Sequence, residues 1–168
     1  MTQRKKLTFW GADDNDDSLV RDVIAGRKTV TADTVEDYYK GYGALGDGGY
    51  VAGDIINVFD LKGRPRCTIR ALEVRVIRFG DIPEDVWRGE TLSSAQEFRD
   101  VHIRCLPHLD LHDDFEFVTL HFELVDVAPV EPACGGRAAD DAVPVRVGHR
   151  PGCDCGPDRR SRGGRVAA

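Results

Sequence analysis

The chain lacks any long apolar run. No apolar stretch in its 168 residues approaches the length of roughly 18–20 residues that a membrane-spanning helix needs. Residues 1–6 are basic, but the apolar residues 7–10 that follow are too few for the core of a signal peptide. We therefore expect a cytoplasmic protein without a membrane partner.

The chain also lacks an excess of basic residues. It carries 23 Lys and Arg against 29 Asp and Glu, a formal net charge of −6. A local basic patch can still bind nucleic acid, but tight non-specific binding of polyanions depends on clustered positive charge, so this balance makes the chain a poor candidate for a general polyanion-binding protein. A small or neutral ligand suits the chain better. Cysteine is scarce, and its odd count of five excludes a framework in which every cysteine pairs within the chain.

The C-terminal segment 129–168 lacks aromatic residues and is dense in Gly, Pro, Ala and Arg. Such a composition buries too little apolar surface to offset its ordering entropy, which predicts a disordered extension to a domain spanning residues 1–128. The segment holds four soft potential zinc ligands, but their spacing is not that of a standard zinc site: Cys134, His149, Cys153 and Cys155. We therefore expect neither a metal nor another cofactor.

Within the first 128 residues, short β-branched runs alternate with capped helical segments. Strands are predicted at 6–10, 29–32, 55–61, 66–79 and 115–127, the fourth of them long enough to bend. Helical segments are predicted at 19–24, 34–41, 83–87 and 93–104, and the six glycines between 41 and 53 indicate a loop. The pattern predicts an α+β protein, a small mixed β-barrel with two to three inserted helices.

Four ordered motifs in this region resemble the ASCH domain family, of the PUA-like superfamily. They are Gly26-Arg27-Lys28-Thr29-Val30-Thr31, the strand pair around Gly63–Ile69, Glu90 and Ser94 leading into Phe98-Arg99-x-x-His102, and the strand Phe117–Val127. The resemblance covers residues 7–127 and implies a PUA-like β-barrel. Phe98 stands where the family usually has Trp.

The resemblance also implies chemistry on a nucleoside or on RNA. One branch of the family hydrolyses N4-acetylcytidine with a Lys, a Thr and a Glu, which match Lys28, Thr31 and Glu90 here. Amide hydrolysis needs a nucleophile, a base and a proton donor for the leaving amine. On this interpretation Thr31 is the nucleophile, Lys28 the base, and Glu90 the orienting or proton-donating carboxylate, without a metal.

Strand geometry sets a condition on this site. Side chains three residues apart in a regular strand point to opposite faces. Lys28 and Thr31 therefore share a pocket only if Lys28 lies in the turn before the strand, as the Gly26 break suggests, or if a bulge intervenes.

Five further residues are predicted to bind substrate, and each has a simpler structural interpretation. Tyr39, with its neighbours Tyr38, Tyr42 and Tyr50, either stacks on a base or packs the glycine-rich loop onto the barrel. His102 either contacts the ligand or bonds a neighbouring element. Arg27 and Arg99 supply positive charge or are ordinary surface arginines, and Ser94 either lies in the pocket or caps a helix.

The leading hypothesis is thus an amidohydrolase that removes an N4-acyl group from a cytidine-like nucleoside or related metabolite. The alternative is an RNA-binding module or a ribonuclease of the ASCH type, in which Lys28, Arg99 and the arginine-rich tail meet phosphate. A third possibility is a regulatory module that binds a nucleoside without turnover. The expected partner is a modified nucleoside or RNA, and no obligate protein partner is inferred.

Overall fold

The computed structural model of the protein describes residues 4–129. The predicted extension and its candidate zinc ligands fall on residues 130–168, outside the described part of the chain. Within residues 4–129 no group of three or more potential metal-ligating side chains occurs.

A five-stranded sheet curls into a half-barrel and forms the frame of the protein. The strand order is β1-β3-β4-β5-β2, with β1 parallel to β3 and every other pair antiparallel. The strands are β1 (Lys5–Thr8), β2 (Val30–Thr34), β3 (Ile55–Phe59), β4 (Pro65–Arg78) and β5 (Glu116–Val127). The α+β architecture predicted from the sequence is confirmed.

The described residues form four α-helices: α1 (Ser18–Ile24), α2 (Val35–Lys40), α3 (Glu84–Gly89) and α4 (Ala95–Cys105). A 3-10 turn spans Gly43–Leu45. All four lie at helical segments that the sequence predicted, and the two shortest, α2 and α3 with six residues each, raise the count above the two to three helices expected for the fold. A helix of that length carries little periodic signal. In residues 4–129 no helix has the length and apolar character needed to cross a membrane.

Two bulges interrupt the ladder between β4 and β5. The first, between Thr68 and Ile69, leaves Val125 of β5 as the extra residue, and the second, between Ala71 and Glu73, leaves Leu72 of β4 as the extra residue. An extra residue on one strand of a ladder bends that strand and increases its twist. The strand β4, whose length predicted a bend, therefore carries one such bulge, at Leu72.

The curled sheet encloses two apolar clusters. The larger cluster joins β1, β3, β4 and β5 to α1 and α2, and its fully buried members include Ile56, Val58 and Ile69. The smaller cluster joins α3 and α4 to the ends of β2, β4 and β5, and it centres on Phe79, Phe98 and Phe117. A cavity lined by residues of both clusters lies where they meet.

Candidate functional site

A cavity of about 180 Å³ opens between the two apolar clusters. Its aromatic lining consists of Phe9, Trp10, Tyr38, Tyr42, Tyr50 and Phe117. Its ionisable and hydroxyl-bearing residues include Lys28, Thr31, Asp33, Glu90 and His102. An apolar cavity of roughly 150 Å³ accepts benzene, so this volume suits a single ring with small substituents. Aromatic walls with a few polar groups are typical of a small-molecule site.

The turn that ends α1 positions Lys28. Gly26 has a left-handed backbone (φ 71°), and its N–H donates to the carbonyl of Val23, 3.0 Å away. The Arg27 N–H donates to the carbonyl of Asp22 at 2.9 Å. These two bonds form a Schellman motif, which reverses the chain and turns Lys28 inward before β2 begins.

The turn that ends α3 positions Glu90 in the same way. The N–H of Thr91 donates to Arg88 and the N–H of Leu92 to Trp87, both at 2.9 Å. Thr91 occupies the left-handed position (φ 67°) that is usually glycine in this motif. A β-branched residue is strained there, and such strain is concentrated at functional sites. Thr91 itself lines the cavity.

A backbone hydrogen bond holds these two turns side by side. The N–H of Thr29 donates to the carbonyl of Gly89 at 2.9 Å. The contact is close because Gly89 has no side chain: a Cβ there would lie 2.3 Å from Cγ2 of Val30. The glycine therefore allows the end of α3 to pack directly against the start of β2, which brings Lys28 and Glu90 together.

Replacing Gly89 by alanine is expected to lower the free energy of unfolding by about 1–3 kcal/mol, as overpacking of a core does. The new Cβ must displace Val30, and with it the turn that carries Glu90. Urea denaturation of Gly89→Ala, Val30→Ala and the double variant measures the effect. Because Val30→Ala removes Cγ2, the atom nearest to the new Cβ, and leaves at residue 30 only the longer contact of 2.8 Å to its Cβ, the double variant should lose less stability than the two single losses together. Strict additivity would contradict the close contact.

Lys28 and Glu90 form a buried ion pair. The Lys28 side chain is 1% exposed and that of Glu90 is 13% exposed. Lys28 Nζ donates to Oε2 of Glu90 and, at 2.9 Å, to the carbonyl of Val30. The other carboxylate oxygen of Glu90 accepts the N–H of Ala32 at 2.6 Å. Lys28 Nζ also lies 5.5 Å from the ring centroid of Phe9, within cation–π range. The ammonium and the carboxylate are thus each held by a backbone hydrogen bond as well as by one another.

Thr31 lines the same cavity as Lys28. β2 begins at Val30, so Lys28 lies in the turn before the strand and strand alternation does not separate the two residues. Lys28 and Thr31 therefore share the cavity because Lys28 lies in the turn, and no bulge between them is needed.

His102 also lines the cavity, and it is bonded to its own helix. Its Nδ1 donates to the carbonyl of Phe98 at 2.8 Å, and its ring stacks on that of Phe98 with a centroid distance of 3.9 Å. Burial lowers the pKa of His102. A neutral imidazole that donates through Nδ1 carries its lone pair on Nε2.

Asp33 is a cavity residue that the motifs did not identify. It follows Thr31 by two positions in β2, so the two side chains share one face of the strand. Desolvation raises the pKa of Asp33 to about 6, against opposing hydrogen bonds from Tyr42 and from the N–H of Thr34. The alternation of β2 was the signal in the sequence that could have located this carboxyl.

Four predicted substrate-binding residues are not among the described residues that line the cavity. Arg27 is exposed and pairs with Asp22. Tyr39 is 66% exposed, whereas its three tyrosine neighbours do line the cavity. The Ser94 side chain caps α4 by accepting the N–H of Glu97 at 3.1 Å.

Arg99 is the fourth of these residues, and its guanidinium is held away from the cavity. It donates to the carbonyl of Phe79 at 2.7 Å and pairs with Asp113 at 2.8 Å. These bonds tie α4 to the end of β4 and to the segment before β5. These two contacts give Arg99 a structural role beside the smaller apolar cluster.

The tyrosines of the glycine-rich loop pack that loop onto the sheet. The Tyr38 hydroxyl donates to the carbonyl of Tyr50 at 2.5 Å, and the Tyr50 hydroxyl donates to the carbonyl of Lys6. Gly48 makes the packing possible, since a Cβ there would lie 2.4 Å from the carbonyl oxygen of Tyr38. The rings that fix the loop thereby also form one wall of the cavity.

The ASCH domain model matches residues 6–126, which is most of the chain. The chain belongs to the ASCH domain family. ASCH domains are linked to RNA binding and to hydrolase-like activity.

Solved structures agree with this ASCH assignment at the level of the fold. Protein EF3133 from Enterococcus faecalis V583 is 22% identical with a TM-score of 0.58, covering 73% of this chain and 77% of its own. An ASCH domain from Lactobacillus crispatus JV V101 is 18% identical with a TM-score of 0.55, covering 72% and 80%. No curated protein matches the chain.

Proposed function

We propose that this ASCH domain is an amidohydrolase that removes an N4-acyl group from a cytidine-like nucleoside. The observation that carries the proposal is the buried Lys28–Glu90 pair, which shares a ring-sized, aromatic-walled cavity with the Thr31 hydroxyl. A buried ion pair contributes little to stability compared with apolar packing, so its presence in a cavity favours a chemical role. The acidic chain favours a free nucleoside over a long RNA.

The first half of the reaction transfers the acyl group to Thr31. The contact between Lys28 and Glu90 gives the ammonium a route to lose a proton to the carboxylate, which leaves Lys28 Nζ able to act as a base. Thr31 Oγ then attacks the acyl carbonyl carbon, and its proton passes to Lys28. The bond between that carbon and N4 breaks as N4 takes the proton from Glu90, so neutral cytidine leaves.

The second half of the reaction restores the enzyme. The acyl ester on Thr31 is cleaved by water, which supplies the hydroxyl of the carboxylic acid product and returns a proton to Thr31 Oγ. The Lys28–Glu90 pair is by then back in its charged form: the Glu90 carboxylate removes a proton from that water, the Lys28 ammonium gives one to Thr31 Oγ, and proton transfer from Glu90 to Lys28 restores the pair. No step in this scheme requires a group from outside the chain except water.

Incubation with N4-acetylcytidine, followed by chromatography of the products, tests the proposal. We expect cytidine and acetate from the wild-type protein and a loss of at least about a hundredfold in rate from Lys28→Ala, typical of removing an acid–base group. Folding of both proteins is checked by circular dichroism. A folded wild-type protein that releases no cytidine would contradict the proposal, and so would equal rates from the two proteins.

The RNA-binding alternative has less support from the arrangement of charge. Of the two basic side chains that it assigned to phosphate, Lys28 is buried against Glu90 and Arg99 is paired with Asp113. Salt dependence distinguishes the two functions. RNA affinity should fall steeply as salt rises, whereas turnover of a neutral nucleoside should not.

A further inference from the structure

Asp33 is an ionisable group in the cavity that the proposed reaction does not use. It lines the cavity on the same face of β2 as Thr31, about 7 Å further along the strand at roughly 3.3 Å per residue. The cavity therefore holds a second carboxyl beside the site of acyl transfer. When the acyl group of a ligand lies at Thr31, the edge of the ring next to that acyl group faces Asp33.

Two donors fix the orientation of this carboxyl. The N–H of Thr34 donates to Oδ1 of Asp33 at 2.8 Å, and the hydroxyl of Tyr42 forms a hydrogen bond with the same carboxyl group. An ionised carboxylate has about four acceptor sites, so two donors leave capacity for a ligand. Tyr42 itself lines the cavity, which places the bonded pair at its wall.

The groups around Asp33 favour its neutral form. Asp37, from α2, and Glu90, from the end of α3, both act on it as like charges. Desolvation acts in the same direction and is the largest influence on its pKa, which rises to about 6. The remaining ionisable groups of the cavity are the paired Lys28, His102, whose pKa burial lowers, and the hydroxyls of Tyr38, Tyr42 and Tyr50.

We propose that Asp33, held by Tyr42, binds the base edge of the ligand as a neutral carboxylic acid, donating to a ring nitrogen and accepting from the adjoining amino N–H. This arrangement of an acceptor beside a donor is the edge that cytosine presents through N3 and N4. The inference rests on the proposed function for the nature of the ligand. It assigns to Asp33 the recognition of the ring and leaves the acyl chemistry to Thr31, Lys28 and Glu90.

Equilibrium binding of cytidine by calorimetry between pH 5 and pH 8 tests the inference without turnover. Above the pKa of Asp33 the empty site must take up a proton to bind, so the wild-type dissociation constant should rise up to tenfold per pH unit above about pH 6. Asp33→Asn keeps one donor and one acceptor and cannot ionise, so it should bind cytidine with little dependence on pH. Asp33→Ala should bind at least tenfold more weakly at pH 5.5.

Three controls sharpen the test. Glu36→Gln makes the same change of charge on an exposed side chain three residues away and should leave the pH profile unchanged. Tyr42→Phe removes a donor that lowers the pKa of Asp33, so the fall in affinity should begin at a higher pH. The analogue 3-deazacytidine, in which a C–H replaces the ring nitrogen, should lose the pH dependence even with the wild-type protein.

The outcomes separate this inference from the proposed function. Cytidine binding that strengthens as pH rises, or an Asp33→Asn variant with the wild-type pH slope, would overturn the role of Asp33 even if N4-acetylcytidine is hydrolysed. The predicted binding profile without hydrolysis would support Asp33 while removing the proposed reaction. A wild-type protein that binds no cytidine at any pH would overturn the inference, and hydrolysis of N4-acetylcytidine would then have to be judged by its own assay.

Discussion

Replacing Thr31 by valine is expected to reduce the turnover of N4-acetylcytidine by at least about a thousandfold, equivalent to about 4 kcal/mol of activation free energy. Valine keeps the β-branched shape that suits β2 but has no hydroxyl to attack the acyl carbon. Without the nucleophile, the Lys28–Glu90 pair has nothing to deprotonate except water. The rate is measured by chromatography of released cytidine under saturating substrate.

Thr29→Val is the matched control for this experiment. Thr29 lies two residues away with an exposed side chain, and it is not among the described residues that line the cavity. The same chemical change there should leave turnover within about threefold of wild type. Mass spectrometry of quenched wild-type reactions should detect one acyl group on Thr31. A Thr31→Val protein that keeps more than about a tenth of the activity would rule out covalent catalysis by this residue.

Replacing Glu90 by alanine is expected to destabilise the fold by about 3–5 kcal/mol, because it leaves the ammonium of Lys28 buried without its carboxylate partner. For a domain of this size the loss corresponds to a fall in melting temperature of roughly 10–20 °C. The variant also loses the proton donor of the proposed reaction, so turnover should fall with stability. Urea denaturation and thermal melts followed by circular dichroism measure the change.

Two further variants show whether burial of the charge is the cause. Glu123→Ala breaks an ion pair with Arg70 whose side chains are both about half exposed, and it should cost less than about 1 kcal/mol. The double variant Lys28→Met, Glu90→Leu removes both charges and should recover most of the stability that Glu90→Ala loses, while remaining inactive. A Glu90→Ala protein as stable as Glu123→Ala would show that the Lys28 charge is solvated.

Local sequence signals fixed most of the elements. The β-branched run after Gly26 predicts β2, the alternation of residues 115–127 predicts β5, and Ser94 caps α4 as its position suggests. These signals are reliable because backbone preference, side-chain alternation and capping all act within a few residues. The motif around Lys28 and Thr31 likewise carried the family assignment, which the match over residues 6–126 confirms.

Long-range packing decided the rest. The turn after α1 and the turn after α3 are joined by the hydrogen bond between Thr29 and Gly89, which are 60 residues apart in the sequence. No local rule predicts this contact. The burial of the Lys28–Glu90 pair therefore followed only from the tertiary structure. Packing also decided the role of Arg99. A motif predicted that it binds the ligand, but in the folded chain it contacts Phe79 and Asp113.

The sequence by itself determined the family, the α+β class and the three residues on which the proposed chemistry rests. Only the tertiary structure decided that Asp33 lies in the cavity and that Tyr39 does not. The physical reason is that strand alternation and helix caps are set by neighbouring residues. Burial and the pKa of a carboxyl depend on which distant elements pack around it.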